Sequence, residues 1–203
     1  QTPPYMKYYA LAEMGRVDEA VAGFNGIAAE LRAGGVAAHG IPADASDAAS
    51  LAAAFGGVVQ TYGAPEALVY NAAAVAPGEP STLDPALVLD HLKINVVGAL
   101  VSAQQVIPAM RVRGRGSILL TGGGLALHPI PQYASLALGK AAMRNLAFSL
   151  AGELAPDGIH VATVTVSGFI QPGTHFDPDD IAEEYWRLHA QPREEWQTEV
   201  VYS

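Results

Sequence analysis

The chain has no cysteine, so neither a disulfide nor a thiolate metal site is open to it. At 203 residues it is long enough to bury a core without such staples. The absence fits a reducing compartment, and a cytoplasmic location is expected. Basic residues are also scarce: 11 Lys and Arg stand against 20 Asp and Glu, for a net charge of −9. No cation cluster is available to displace counterions from a phosphate backbone, so no nucleic-acid partner is expected. The one basic knot, "RVRGRG" at Arg111 to Gly116, reads as a solvated turn. No uninterrupted apolar run has the length of a membrane span. The nearest, "NVVGALVSAQQVIPAM", is broken by Gln104, Gln105 and Pro108, and no membrane association is expected. The opening "QTPPYMKYYA" lacks the charged-then-apolar layout of a secretory signal. Because it begins with Gln, this end is read as trimmed or incomplete.

What is present alternates regularly. Val17, Val21, Phe24, Ala28 and Leu31 have the three-and-four spacing of an amphipathic helix, stopped by Gly34 and Gly35. A short apolar piece, "VAAHGI", runs into "PADASD", where Asp47 can cap the helix "AASLAAAFGGVVQTYG". Ala67 to Tyr70 form an apolar run that reads as a strand buried on both faces. A long helix is expected from about Pro85 to Met110 and a strand at 117–121. A further helix runs to about Ala155, followed by the β-branched strand "HVATVTV" at 160–166. A long loop, a last helix "IAEEYWRLHA" and a strand-like "EVVYS" close the chain. Strand and helix in alternation mean crossover connections and a parallel sheet covered by helices, an α/β doubly wound, Rossmann-like fold. Ligands in such sheets bind beyond the carboxyl ends of the strands. Those ends are Asp44, Asn71, Thr121 with Gly122 to Gly124, and Ser167 with Gly168. One domain is expected over 1–203, with 1–35 an atypical or incomplete N-terminal part and 172–203 the terminal loop, helix and strand.

The order "DASD", "YNAAA", Asn95 in "INVVGAL", "SILLTGGG", "LALGKAA" and "TVTVSGFI" resembles the short-chain dehydrogenase/reductase family over residues 27–203. Six weak motifs in one order carry the resemblance. It implies NAD or NADP as cofactor, with Asp44, Asn71, Ala72, Lys140 and Gly168 at nucleotide-binding positions. In the family a tyrosine one turn before the lysine moves the proton, the lysine lowers that phenol's pKa, a serine holds the substrate oxygen, and an asparagine orients a relay water. Aligned on Lys140, the tyrosine position is Leu136 and the serine position is Gly123. Lys140 and Asn95 remain as family remnants.

Two residues are candidates for a substitute acid. Tyr133 lies about 10.5 Å along the helix axis from Lys140, against about 6 Å for Leu136, and reads as an aromatic at the helix start. His128, in "LALHPIPQ", has a pKa suited to proton transfer and a loop that should border the cleft. "TGGG" reads as a widened, featureless pocket floor, because no Lys, Ser or Thr follows at phosphate-loop spacing. His175, Asp177, Asp179 and Asp180 read as helix capping and an acidic first turn, and no metal is expected.

The family's glycine turn, which receives the pyrophosphate, would fall before residue 1 when Asp44 is the anchor. "GFNGIAAELRAGG" imitates it but lies inside the periodic helix. Loss of the first strands would expose sheet edges. The sheet is then rearranged, residues 1–35 fill the gap, a partner covers it, or segments of the native chain are missing. The resulting expectation is a catalytically degenerate family member, a non-catalytic subunit or ligand-binding homologue. The alternative is an NAD(P)-dependent oxidoreductase of carbonyl or alcohol substrates using His128 or Tyr133 with Lys140. The resemblance also implies homo- or hetero-oligomers through the helices at 85–110 and 134–155. The apolar "LALHPIP" loop and aromatic tail suit an apolar small molecule.

Overall fold

The computed structural model describes residues 17–203, with side chains from residue 25 onward. The reading of the first 16 residues, and the facing of Val17, Val21 and Phe24, lie outside the described residues. The chain divides into two compact units, one holding the residues up to Ala43 with Phe169–Pro178, the other Asp44–Gly168 with Asp179–Ser203.

In the first unit, helix α1 (Val17–Ala33) ends where expected. Gly35 has φ 87°, a left-handed conformation that costs a residue without a Cβ least. Ala28 is buried, while Leu31 is exposed. Residues 36–43 form no regular element, and Val36 and Ile41 are exposed. The apolar piece before Asp44 is therefore not a strand.

The second unit carries the sheet. Helix α2 (Ala48–Tyr62) is capped by Asp47, whose carboxylate accepts from Ala49 N at 2.9 Å. Strand β1 (Ala67–Tyr70) follows. Asp84 caps helix α3 (Pro85–Leu92) and Pro85 opens it. A π turn, Lys93–Val97, joins α3 to α4 (Gly98–Arg113). Then come β2 (Gly116–Thr121), α5 (Ala134–Leu154), β3 (Ile159–Val166), α6 (Pro178–Ala190) and β4 (Glu199–Tyr202). All pairings are parallel, in the order β1-β2-β3-β4. Crossover helices are what parallel neighbours require.

The core lies between this sheet and the helices α4 and α5. Ala99, Ala103, Val106, Ile107 and Met110 of α4 meet Leu68, Ile118 and Leu120, with Met143, Ala147 and Leu154 of α5 in the same cluster. β3 is buried along its whole length.

Three expectations are corrected here. β1 is buried on one face only: Leu68 and Tyr70 point inward, but Val69 is 52% exposed. An apolar run reports residue type, and whether both faces are covered depends on what packs against them. Second, Gln104, Gln105 and Pro108, read as breaking the apolar run below the length of a membrane span, do not break the helix, which passes Pro108 as expected and continues beyond Met110 to Arg113. Proline removes one N–H from the ladder, and the core contacts of α4 on both sides hold the turn. Pro85–Arg113, 29 residues with a window hydropathy of 1.5, is thus long and apolar enough by length and composition to cross a membrane. Its inward stripe packs on the core described above, and 33% of the apolar window is buried. Third, "RVRGRG" is not merely solvated. Arg111 bonds Glu153 at 2.9 Å and Asp157 at 2.7 Å, Arg113 donates to the carbonyls of Ala64 and Pro65, and Arg115 pairs with Glu66 at 2.9 Å.

The C-terminal elements are fastened by polar groups. Glu199 on β4 accepts from Arg144 of α5 and, at 2.6 Å, from Thr165 of β3. The Arg144 and Thr165 bonds hold the Glu199 carboxyl below the usual range. His160 at the start of β3 is buried, with Nδ1 2.9 Å from Leu188 O and Nε2 2.9 Å from Gln197 O. Its ring stacks on Trp196 at a centroid distance of 4.8 Å.

Candidate active site

β1, β2 and β3 run parallel, so Asn71, Gly122 and Ser167 follow strands that end at the same side of the sheet. Lys140 reaches that side from α5. Ala134, Ala137 and Gly139, all buried, give α5 a small-residue face against α3 and the π turn. Lys140 is itself only 8% exposed, and its Nζ donates to Thr121 O at 2.6 Å. Burial pushes the ammonium pKa down to about 8. Leu136, half-buried, stands one turn earlier on the helix.

The three glycines of "TGGG" differ from one another. A Cβ at Gly122 would lie 2.7 Å from the hydroxyls of Thr163 and Thr165, and one at Gly124 would lie 2.9 Å from Ser167. Both glycines are required by close packing, Gly122 on β3 and Gly124 on the residue that follows it. Only Gly123 faces Lys140, with an imaginary Cβ 3.4 Å from the stem carbons Cγ, Cδ and Cε. Its backbone is extended, φ −169°, a conformation any residue adopts. The pocket-floor reading is therefore replaced at Gly122 and Gly124 by packing, and narrowed to the one glycine at the serine position.

Asn95 is fully buried in the π turn. Its Oδ1 accepts from Ala74 N at 2.5 Å and its Nδ2 donates to Ala74 O at 3.0 Å. The amide thus imitates a ladder partner for the loop after β1. Gly139 makes this possible, since a Cβ there would lie 2.8 Å from Asn95 Nδ2. Nearby, buried His91 and Ser135 are bonded at 2.9 Å. Tyr70 donates its hydroxyl to Ile94 O at 2.6 Å, and burial pushes its pKa up to about 12.

The remaining candidates are not brought to the lysine. His128 is exposed, and among the described residues its side chain makes no hydrogen bond; its backbone N–H closes a turn onto Gly124 O at 2.8 Å. Tyr133 is the residue before α5, exposed, bridged through its backbone to Gly78. Asp44 is exposed and turned on its own loop, accepting from Ser46 N at 2.8 Å and Ser46 Oγ at 2.7 Å, bonds that lower its pKa. Asn71 and Gly168 are exposed at strand ends, and Ala72 packs against the core. Asp179 and Asp180 lie in the first turn of α6. The sequence reading missed Tyr185, whose hydroxyl is 2.7 Å from Thr121 Oγ1. Only its place in the helical period of α6 could have pointed to the sheet.

The family model described as short chain dehydrogenase matches residues 10–177. The chain belongs to that family. It is 32% identical over 149 residues to 2-(S)-hydroxypropyl-CoM dehydrogenase 3 of Xanthobacter autotrophicus, covering 71% of this chain and 58% of that one. It is also 32% identical over 130 residues to the protein named inactive 2-(S)-hydroxypropyl-CoM dehydrogenase 2 of the same organism, covering 64% and 56%. The chain thus spans a little over half the length of these two curated relatives. A crystal structure of a metagenomic short-chain oxidoreductase in complex with NADP is 25% identical, with TM-score 0.81 over 89% of this chain and 80% of that chain. The Rossmann-like α/β architecture and the use of a nicotinamide dinucleotide within the family are established by these likenesses.

Proposed function

We propose that this short-chain dehydrogenase has given up hydride transfer and acts as a ligand-binding homologue or non-catalytic subunit. One observation carries the reading: Leu136 stands one helical turn before Lys140, where the proton-donating phenol belongs. A hydrocarbon neither gives nor takes a proton, and no pKa tuning by Lys140 can change that. Gly123 removes the hydroxyl that would hold the substrate oxygen. What persists has structural employment: Asn95 pins the loop after β1 and Lys140 binds Thr121 O.

A nicotinamide dinucleotide fits this site in part. Asn71, Ala72 and Gly168 follow strand ends and Lys140 reaches the same side from α5, the positions that the family resemblance implies for it, and Lys140 Nζ has further hydrogens to offer a ribose hydroxyl. Asp44 spends its carboxylate on Ser46, and among the described residues no strand precedes β1 with a glycine turn for the pyrophosphate. When bound, the group would supply hydride chemistry; this chain's own part is to orient it. The same reading places the protein in the cytoplasm. It pairs one copy with another, or with a related chain, through the outer faces of α3, the π turn, α4 and α5, where Leu89, Val97, Leu138 and Phe148 are exposed.

The test is a panel of carbonyls and alcohols with NAD(H) and NADP(H). No turnover above buffer is expected. Turnover that Lys140→Ala abolishes would end the degenerate reading and favour the oxidoreductase alternative with His128 or Tyr133 as acid. The pair Gly123→Ser with Leu136→Tyr restores both missing groups, and any activity is expected to appear only there.

A further inference from the structure

We propose that His160 is the pin of a pH-sensitive latch: protonation of its ring unseats β4 and, along that strand, loosens the backbone at Ser167. A neutral imidazole carries one N–H, yet both ring nitrogens face a backbone carbonyl, Leu188 O and Gln197 O, each at 2.9 Å. Leu188 O also accepts from Gln191 N at 3.3 Å, whereas among the described residues Gln197 O has no donor besides the ring. The single proton therefore belongs on Nε2, and Nδ1 turns a lone pair on Leu188 O. In this state the ring holds Gln197, the entry to β4, and only lies against α6. From there the hold passes along the sheet: Thr163 N donates to Thr198 O at 2.9 Å, Val200 pairs with Val164, and Ser167 N donates to Tyr202 O at 2.8 Å. β4 thus joins the histidine at one end of the sheet to a strand end of the candidate site at the other, and β3 is its one strand neighbour among the described residues.

An imidazolium here satisfies both carbonyls, but it is a charge only 3% exposed with no carboxylate bonded to it among the described residues. The charged and titratable groups around it do not compensate. His189 on α6 opposes a second positive charge, and Arg193 lies over the Trp196 ring at 5.8 Å. Arg115 is paired with Glu66, Arg187 with Glu184, and Asp157 with Arg111, while Glu194 and Glu195 are exposed on the turn before Trp196. Burial outweighs the two carbonyls and pushes the ring's pKa down. The ring is then easier to protonate with β4 off than with β4 seated, so the seated form loses ground as pH falls below 6.5. Protons have a way in, because His160 lines a cavity of about 220 Å³ with Ser117, His189, Gln191 and Trp196. The ionisable group on β4 itself does not interfere. Arg144 and Thr165 hold the Glu199 carboxyl below its usual range, and it stays charged over the same interval.

Amide hydrogen exchange of the full chain is followed by mass spectrometry from about pH 7 to about pH 5, each rate being divided by the intrinsic rate of a free peptide at that pH. Protection of the peptide holding Glu199–Tyr202 is expected to fall severalfold, by no more than about tenfold per pH unit below 6.5. Ser167 should follow it, and β2 should not change. Protection of β4 that ignores pH, or a fall shared equally by β2 and β3, overturns the proposal. His160→Gln keeps a donor near the place of Nε2 and does not titrate, so its β4 is expected to stay protected throughout. A fall that persists in that variant, or that vanishes only in His189→Gln, places the proton elsewhere and overturns the proposal as well. If His160→Gln does not fold, the contrast between β4 and β2 in the unaltered protein decides. What a bound ligand would feel at Ser167 rests on the reading above; NADPH affinity, titrated separately at about pH 7, tests that reading without touching the exchange result.

Discussion

Holding the Lys140 ammonium out of water costs the fold free energy that is recovered as the group loses its proton. The folded value is about 8 and the unfolded value 10.5. Between the two, the unfolded chain carries the extra proton, so stability rises with pH across that interval, by about 3 kcal/mol if taken to completion. Tyr70 acts in the opposite direction. Its phenol is held protonated up to about 12 in the fold against 10.0 outside it, so stability falls as pH climbs from 10 toward 12. Urea denaturation from pH 7.5 to 10 should therefore show a rise that Lys140→Met flattens, and the fall above pH 10 should be missing in Tyr70→Phe. Asn95 gives a second residue-level expectation. Asn95→Ala strands the N–H and C=O of Ala74 in a buried place, each worth about 1–3 kcal/mol. A loss of about 3 kcal/mol in denaturation free energy is expected, with Asn95→Asp falling between, since it keeps the acceptor and loses the donor.

Among elements, the helices with chemical punctuation were legible and those shaped by packing were not. Asp47 and Asp84 accept the N–H groups that an N-cap should, and Asp47→Ala and Asp84→Ala are each expected to cost about 1 kcal/mol, read as a lowered denaturation midpoint with unchanged slope. The β-branched run of β3 and the short β2 were equally legible, because residues buried on both faces leave nothing to alternate. By contrast, the π turn at Lys93–Val97 has no composition of its own. It follows from the need to bring Asn95 against Ala74 and Gly139, a contact between segments distant in sequence. The same holds for "TGGG", where the partners that dictate Gly122 and Gly124 sit on β3 and at the residue just after it. Motif order singled out Lys140, Asn95, Leu136 and Gly123, but Tyr185 and the carbonyl of Thr121 required the folded chain.

At the scale of the molecule, a sheet that was readable as parallel ends, among the described residues, on a strand with one open face. Val69 on β1 is exposed while Leu68 beside it is core, and nothing in "EALVYNAAA" distinguishes the two. The position of the C-terminal segment was also unreadable in advance, since it depends on one histidine between two carbonyls. That arrangement makes the protein its own optical gauge. The chain has two tryptophans; Trp196 stacks on His160 and Trp186 lies 5.6 Å from His189. Both ring nitrogens of His160 face acceptors, which reward the charged imidazole, while burial lowers its pKa overall. An imidazolium accepts an electron from excited indole far more readily than a neutral ring does. Emission should therefore dim as acid is added below the ordinary histidine range, and His160→Gln should remove most of that dimming. The light would report, without any attached dye, whether the last strand is still seated.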